Sequence, residues 1–200
     1  MDDMVNYPIK VSEDELIRRI KHSITSTDLR NYFGNDIENK IVKYNELKNY
    51  RTILDLLPQN KSFKIILIEN EYNKGHWVLV LRYGNTIEWF NSYGDKPEAT
   101  KRVNGSLKNR LLGQTSDELK RLFKSAPSKF KVIYNKRKFQ KLKPDINTCG
   151  RWVILRILTA MNMNMDLTEF NDMITKAQKA TGLPLDGLVS LWVPDSLKDV

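Results

Sequence analysis

The sequence predicts an α+β protein built around a mixed β-sheet, and three observations carry that reading. Between Phe63 and Phe90 lie short runs rich in β-branched and aromatic residues, separated by Asn-Lys-Gly and Tyr-Gly-Asn punctuation. Segments with helical spacing and recognisable start and stop signals flank this stretch on both sides. Between Cys149 and Met163 the chain is apolar nearly all round, the mark of a helix packed inside a fold rather than lying on its surface.

Taken in order, Ser12-Glu13-Asp14-Glu15 has the capping-box pattern and Leu16, Ile17 and Ile20 follow at helical spacing, so a first helix is expected over 13–22. A second short helix opens at Ser26 or Thr27, and a third element covers part of 36–57 before Pro58 stops it. The runs 63–68, 76–81 and 86–90 read as strands, the last two forming a hairpin across Gly84-Asn85. Ser116 caps a helix over 116–124, and 130–134 is a fourth strand. The apolar helix spans 149–163, and a last amphipathic helix spans 167–180 before Gly182 and Pro184.

Two hundred residues with 40% hydrophobic content suffice for one domain with a real core. A single domain over 1–200 is expected, with 1–60 as a mostly helical N-terminal part. No run of about 18 uninterrupted apolar residues occurs, and Met1-Asp2-Asp3-Met4 is acidic where a secretory signal would be basic. An intracellular protein in a reducing compartment, with no membrane partner, is therefore expected. One cysteine excludes an internal disulfide and a cysteine-rich zinc site, and no metal site is expected.

The net charge of +9 is concentrated: 101–143 holds fourteen Lys or Arg against Asp117 and Glu118 alone. Such a block suits phosphate neutralisation as well as a solvated face. Lys136, Arg137 and Lys138 are its candidate nucleic-acid contacts.

Cys149 sits at the start of the apolar helix, where unpaired backbone N–H groups and the helix dipole favour a thiolate. Nucleophilic catalysis by such a thiol needs a histidine, a group to orient that histidine, and donors for the oxyanion. His76 opens one strand of the hairpin and Asn91 closes the other, so both fall on neighbouring strands. Each has a plainer reading: a buried cysteine, a surface histidine, a turn-forming asparagine. His22 has no partner motif and reads as structural.

Gly75-His76-Trp77, then Phe90-Asn91-Ser92-Tyr93-Gly94, then Thr148-Cys149-Gly150-Arg151-Trp152 resembles the signature of the adenovirus maturation protease and the SUMO-specific proteases. In this papain-like group the histidine precedes the cysteine. The match covers roughly 63–163, and the maturation proteases of virophages and related viral DNA elements look most similar, given the basic, asparagine-rich chain. The resemblance implies a papain-like fold in permuted order (His, Asn, Cys), its mixed sheet packed on a central helix that starts at the nucleophile. It implies Cys149 as nucleophile, His76 as general base and Asn91 as the residue orienting the imidazole. Asp or Glu often stands in that third place, and Asp95 is a weaker alternative. An amide still fixes the tautomer but cannot stabilise imidazolium by charge. Gln140 is implied as the oxyanion donor, with Asn147 a competitor.

By the same resemblance Trp77 walls a narrow channel admitting glycine at the cleaved position, and Gly150 leaves room for the substrate backbone. The implied activity is an endopeptidase that cleaves viral capsid or core precursors after glycine during virion maturation. It would work in the virion and host cytoplasm, with no cofactor beyond DNA as an activator. A deconjugating protease for a ubiquitin-like modifier, and a non-enzymatic basic DNA-binding virion protein, are the alternatives. The oligomeric state is left open.

Overall fold

The computed structural model describes residues 11–195, so the Met1-Asp2-Asp3-Met4 segment lies outside the described residues. They divide into two compact units, one formed by the chain before Phe33 together with the chain after Lys138, the other by Phe33–Lys138. In chain order the helices are α1 (Glu13–Lys21), α2 (Ser26–Phe33), α3 (Ile53–Leu56), α4 (Ala99–Arg102), α5 (Ser106–Leu111), α6 (Glu118–Lys124), α7 (Cys149–Met161), α8 (Leu167–Thr181) and α9 (Leu185–Trp192). The strands are β1 (Ile41–Lys43), β2 (Ser62–Glu71), β3 (Lys74–Tyr83), β4 (Thr86–Phe90) and β5 (Lys131–Tyr134).

In the middle unit the strands form one mixed sheet in sequential order, β1-β2-β3-β4-β5. β1 runs parallel to β2, the next two pairs are antiparallel, and β5 returns parallel to β4. Ile66, Ile68, Val78, Val80, Ile87 and Trp89 point to one face, where period-two alternation places them together. Leu119, Leu122 and Phe123 of α6 and Ile53 and Leu56 of α3 complete that core. Strand β1 falls in the segment expected to be helical: three residues are too few for period-two alternation to show. At the β2–β3 turn the register slips between Glu69 and Glu71, and a Cβ on Gly75 would lie 2.0 Å from the Ile68 carbonyl oxygen. Only glycine lets the chain re-enter the sheet there.

In the other unit α7 is buried on nearly every side, as its apolar surface requires. Its two arginines are fully buried yet partnered. Arg151 donates to the Arg19 carbonyl, to the Val193 carbonyl and to Asp195, joining α7 to the end of α1 and to the chain beyond α9. Arg156 donates to the Met165 carbonyl at 3.1 Å and lies over the Phe170 ring. Helix α8 starts at an Asp166–Glu169 capping box and stops at Gly182 with φ +68. Pro184 does not end the helical chain as expected but opens α9, where a proline before the first turn costs no hydrogen bond.

Candidate active site

The β3–β4 hairpin brings His76 and Asn91 together. Leu79 pairs with Phe90, so Asn91, one residue past β4, continues the face that carries Val78 and His76. His76 Nε2 lies 2.8 Å from Asn91 Oδ1. The Tyr93 backbone N–H donates to the same oxygen at 3.0 Å, and Asn91 Nδ2 donates to Thr100 Oγ1 at 3.0 Å. A backbone N–H only donates, so the atom facing Tyr93 is the carboxamide oxygen and His76 must present an N–H to it. The ring is thereby held as the Nε2–H tautomer, which leaves Nδ1 as its basic nitrogen. Burial pushes the His76 pKa down to about 4, and the Asn91 hydrogen bond opposes this only in part. At neutral pH this imidazole is an uncharged base.

The surroundings of the pair are built from residues that the sequence reading assigned no role. The Tyr93 ring stacks on His76, with centroids 4.3 Å apart and planes 12° apart. Asn135 grips the Asn91 backbone from both sides: its Oδ1 accepts from Asn91 N–H at 2.7 Å and its Nδ2 donates to the Asn91 carbonyl at 2.9 Å. The turn closes with Gly94 N–H donating to the Asn91 carbonyl at 2.8 Å. Gly94 has φ +72, and a Cβ there would lie 2.7 Å from the Lys136 carbonyl oxygen. Tyr93 had a signal, as the aromatic of the Asn-Ser-Tyr-Gly motif, whereas Thr100 and Asn135 had none. Asp95 meets this region through its carbonyl, which accepts from Trp89 Nε1 at 2.8 Å; Asn91 is the partner of His76. Trp77 is buried, alternates to the face opposite His76 and pairs with Leu67.

Cys149 is half-buried and is the first residue of α7, where the backbone N–H groups of the first turn have no helical acceptor. The preceding Thr148 does not cap the helix through its side chain: its hydroxyl donates to Asp186 Oδ1 at 2.7 Å, and the Lys141 N–H donates to Asp186 Oδ2 at 3.2 Å. Burial raises the Asp186 pKa. Asp186 thus ties the first turn of α9 to both ends of the loop that leads into Cys149. Within that loop Gln140 is buried and its Nε2 donates to the Ile146 carbonyl at 2.9 Å. Asn147 is turned away to α1, with its N–H on the Ile20 carbonyl at 2.9 Å and its Nδ2 on the Lys21 carbonyl at 2.8 Å. These contacts satisfy the last carbonyls of α1.

Gly150 is a close-approach glycine, and what approaches is Ile24. A Cβ on Gly150 would lie 2.4 Å from Ile24 Cβ and 2.9 Å from its Cγ2. Gly150→Ala is expected to destabilise the protein by about 1–3 kcal/mol. The clash is with Ile24 Cβ itself, so Ile24→Gly in the same chain should recover part of the loss in a double-mutant cycle read by thermal melting. Additive losses would exclude Ile24 as the reason for glycine.

The basic segment splits into two uses. Lys101 is buried in an ionic cluster, and Arg121 donates to the Leu47, Tyr50 and Arg51 carbonyls. Lys136 and Lys138 are exposed and Arg137 is half-buried, beside the Gly94 turn that follows Asn91. Among the described residues no helix is long and apolar enough to cross a membrane, and no group of three His, Cys, Asp or Glu side chains is placed to hold a metal ion.

No protein-family model matches the chain, and no solved structure matches it. It is 36% identical over 151 residues to the Sputnik virophage protein named "Uncharacterized protein V9", a match spanning 75% of this chain and 82% of that protein. The chain belongs to the family of that virophage protein.

Proposed function

We propose that the protein is a cysteine endopeptidase of the papain-like type with permuted order, acting on capsid or core precursors during virion maturation. The observation that carries this reading is the His76–Asn91 pair: a buried, uncharged imidazole held in one tautomer by an oriented amide. An uncharged imidazole held in one tautomer is what a thiol nucleophile needs of its base. In the reading, His76 Nδ1 takes the Cys149 proton as sulfur attacks the carbonyl carbon after glycine. The C–N bond then breaks, His76 returns the proton to the leaving amine, and water hydrolyses the thioester.

Gln140 and the Cys149 N–H would hold the oxyanion, each donor contributing about 3 kcal/mol. A substrate with glycine at the cleaved position follows from the resemblance; Trp77 is buried on the sheet face opposite His76 and does not line the side of the sheet that carries the base. Virophage membership supports a virion substrate, and the exposed Lys136 and Lys138 support DNA as a partner.

Alkylation by iodoacetamide tests the nucleophile. Cys149 is expected to react rapidly at neutral pH, and His76→Gln should slow it by about tenfold. A rate typical of an ordinary thiol of pKa about 8.5, indifferent to His76→Gln, would overturn the reading.

A further inference from the structure

The single helical turn α4 joins the His76–Asn91 pair to a buried ionic cluster. On one side its Thr100 Oγ1 accepts from Asn91 Nδ2 at 3.0 Å. On the other its Lys101, 4% exposed, lies 3.0 Å from Glu98 Oε2 and donates to the Ser116 carbonyl at 2.6 Å and to Tyr44 Oη at 3.1 Å. Glu98, 2% exposed, also accepts from the Tyr44 hydroxyl and from the Lys120 N–H at 3.1 Å. A helix of four residues has no stability of its own, and Glu98 sits at φ +74, a region that disfavours a side chain. Both features persist because the buried cluster over-determines them.

The carboxamide torsion of asparagine is soft, so one hydrogen bond leaves the plane of the amide free to turn. Tyr93 N–H anchors its oxygen and Thr100 Oγ1 anchors its nitrogen. We propose that Thr100, set in place by the Glu98–Lys101–Tyr44 cluster, is a positioning residue that holds the Asn91 amide in the orientation fixing the His76 tautomer. The proposal rests on the reading of His76 as the base only for its effect on turnover. Its effect on the ring does not.

The test is ¹⁵N NMR of the imidazole. The chain has two histidines, so a His22→Gln background leaves His76 alone. The parent is expected to show one protonated-type nitrogen, Nε2, and one basic-type nitrogen, Nδ1. With Thr100→Val, nearly isosteric and checked for folding by its melting curve, the two shifts should move toward each other, and Thr100→Ser should restore them. For a glycine-containing peptide, kcat should fall about tenfold in Thr100→Val with KM within about twofold, and recover in Thr100→Ser. Ring shifts unchanged by Thr100→Val would overturn the proposal. If the parent cleaves no peptide yet its ring shifts respond to Thr100→Val, the positioning role stands and the protease reading fails.

Discussion

Cys149→Ala is expected to abolish cleavage of a glycine-containing peptide while the fold is retained, and His76→Ala to lower turnover by about 10²–10⁴. The pH dependence identifies the base more sharply. His76 in the folded protein loses its charge at about 4, below the usual histidine value of 6.5, because burial disfavours the imidazolium. The acid limb of kcat/KM should therefore lie well below pH 6.5. Asn91→Asp places a carboxylate against the ring, favours the charged imidazole and should move that limb up by about 1–3 units. Thr100 accommodates the change, since a hydroxyl donates as readily as it accepts. An acid limb near 6.5 that ignores Asn91→Asp would remove His76 from the role. Stability follows the same shift: the depressed pKa means the folded state resists protonation, so stability is full above pH 6.5 and falls as pH drops toward 4, by about 3 kcal/mol.

Lys101→Met is expected to cost about 3–5 kcal/mol, read as a fall of about 10 °C in melting temperature. Among the described residues, the substitution leaves the buried Glu98 carboxylate with the Tyr44 hydroxyl and the Lys120 N–H as its hydrogen-bond donors. Removing one member of a buried pair is worse than removing both. Glu98→Gln combined with Lys101→Met should therefore recover much of the loss. Recovery in the double variant separates an ionic cluster that positions α4 from a lysine whose stem merely fills space. Equal destabilisation in the single and double variants would show that the charge pairing is immaterial.

The elements that depend on local pattern were legible in the chain. The strands at 63–68, 76–81 and 86–90 match β2, β3 and β4, since alternation and β-branched residues act within a few positions. The hairpin across Gly84-Asn85 put His76 and Asn91 on neighbouring strands. What the pattern could not carry was anything closed over distance. β1 is identified by its pairing with β2, not by its own three residues. Helices α4 and α5, of four and six residues, are too short for helical periodicity to show, and α9 follows a proline that suggested an end.

The order Gly75-His76-Trp77, Asn91, Cys149 was determined by the sequence alone, and with it the identity of the candidate groups. Which atom of Asn91 faces the ring was not. That choice comes from the Tyr93 N–H, which can only donate, and the pKa of His76 comes from its burial. Tautomer and proton affinity are properties of an environment, built here by residues from the turn after β4, from α4 and from the end of β5. Likewise Lys101 counts as one more positive charge in the chain and becomes, on folding, the centre of a buried cluster. Residue type is written locally, whereas desolvation and hydrogen-bond direction exist only once distant segments close around the group.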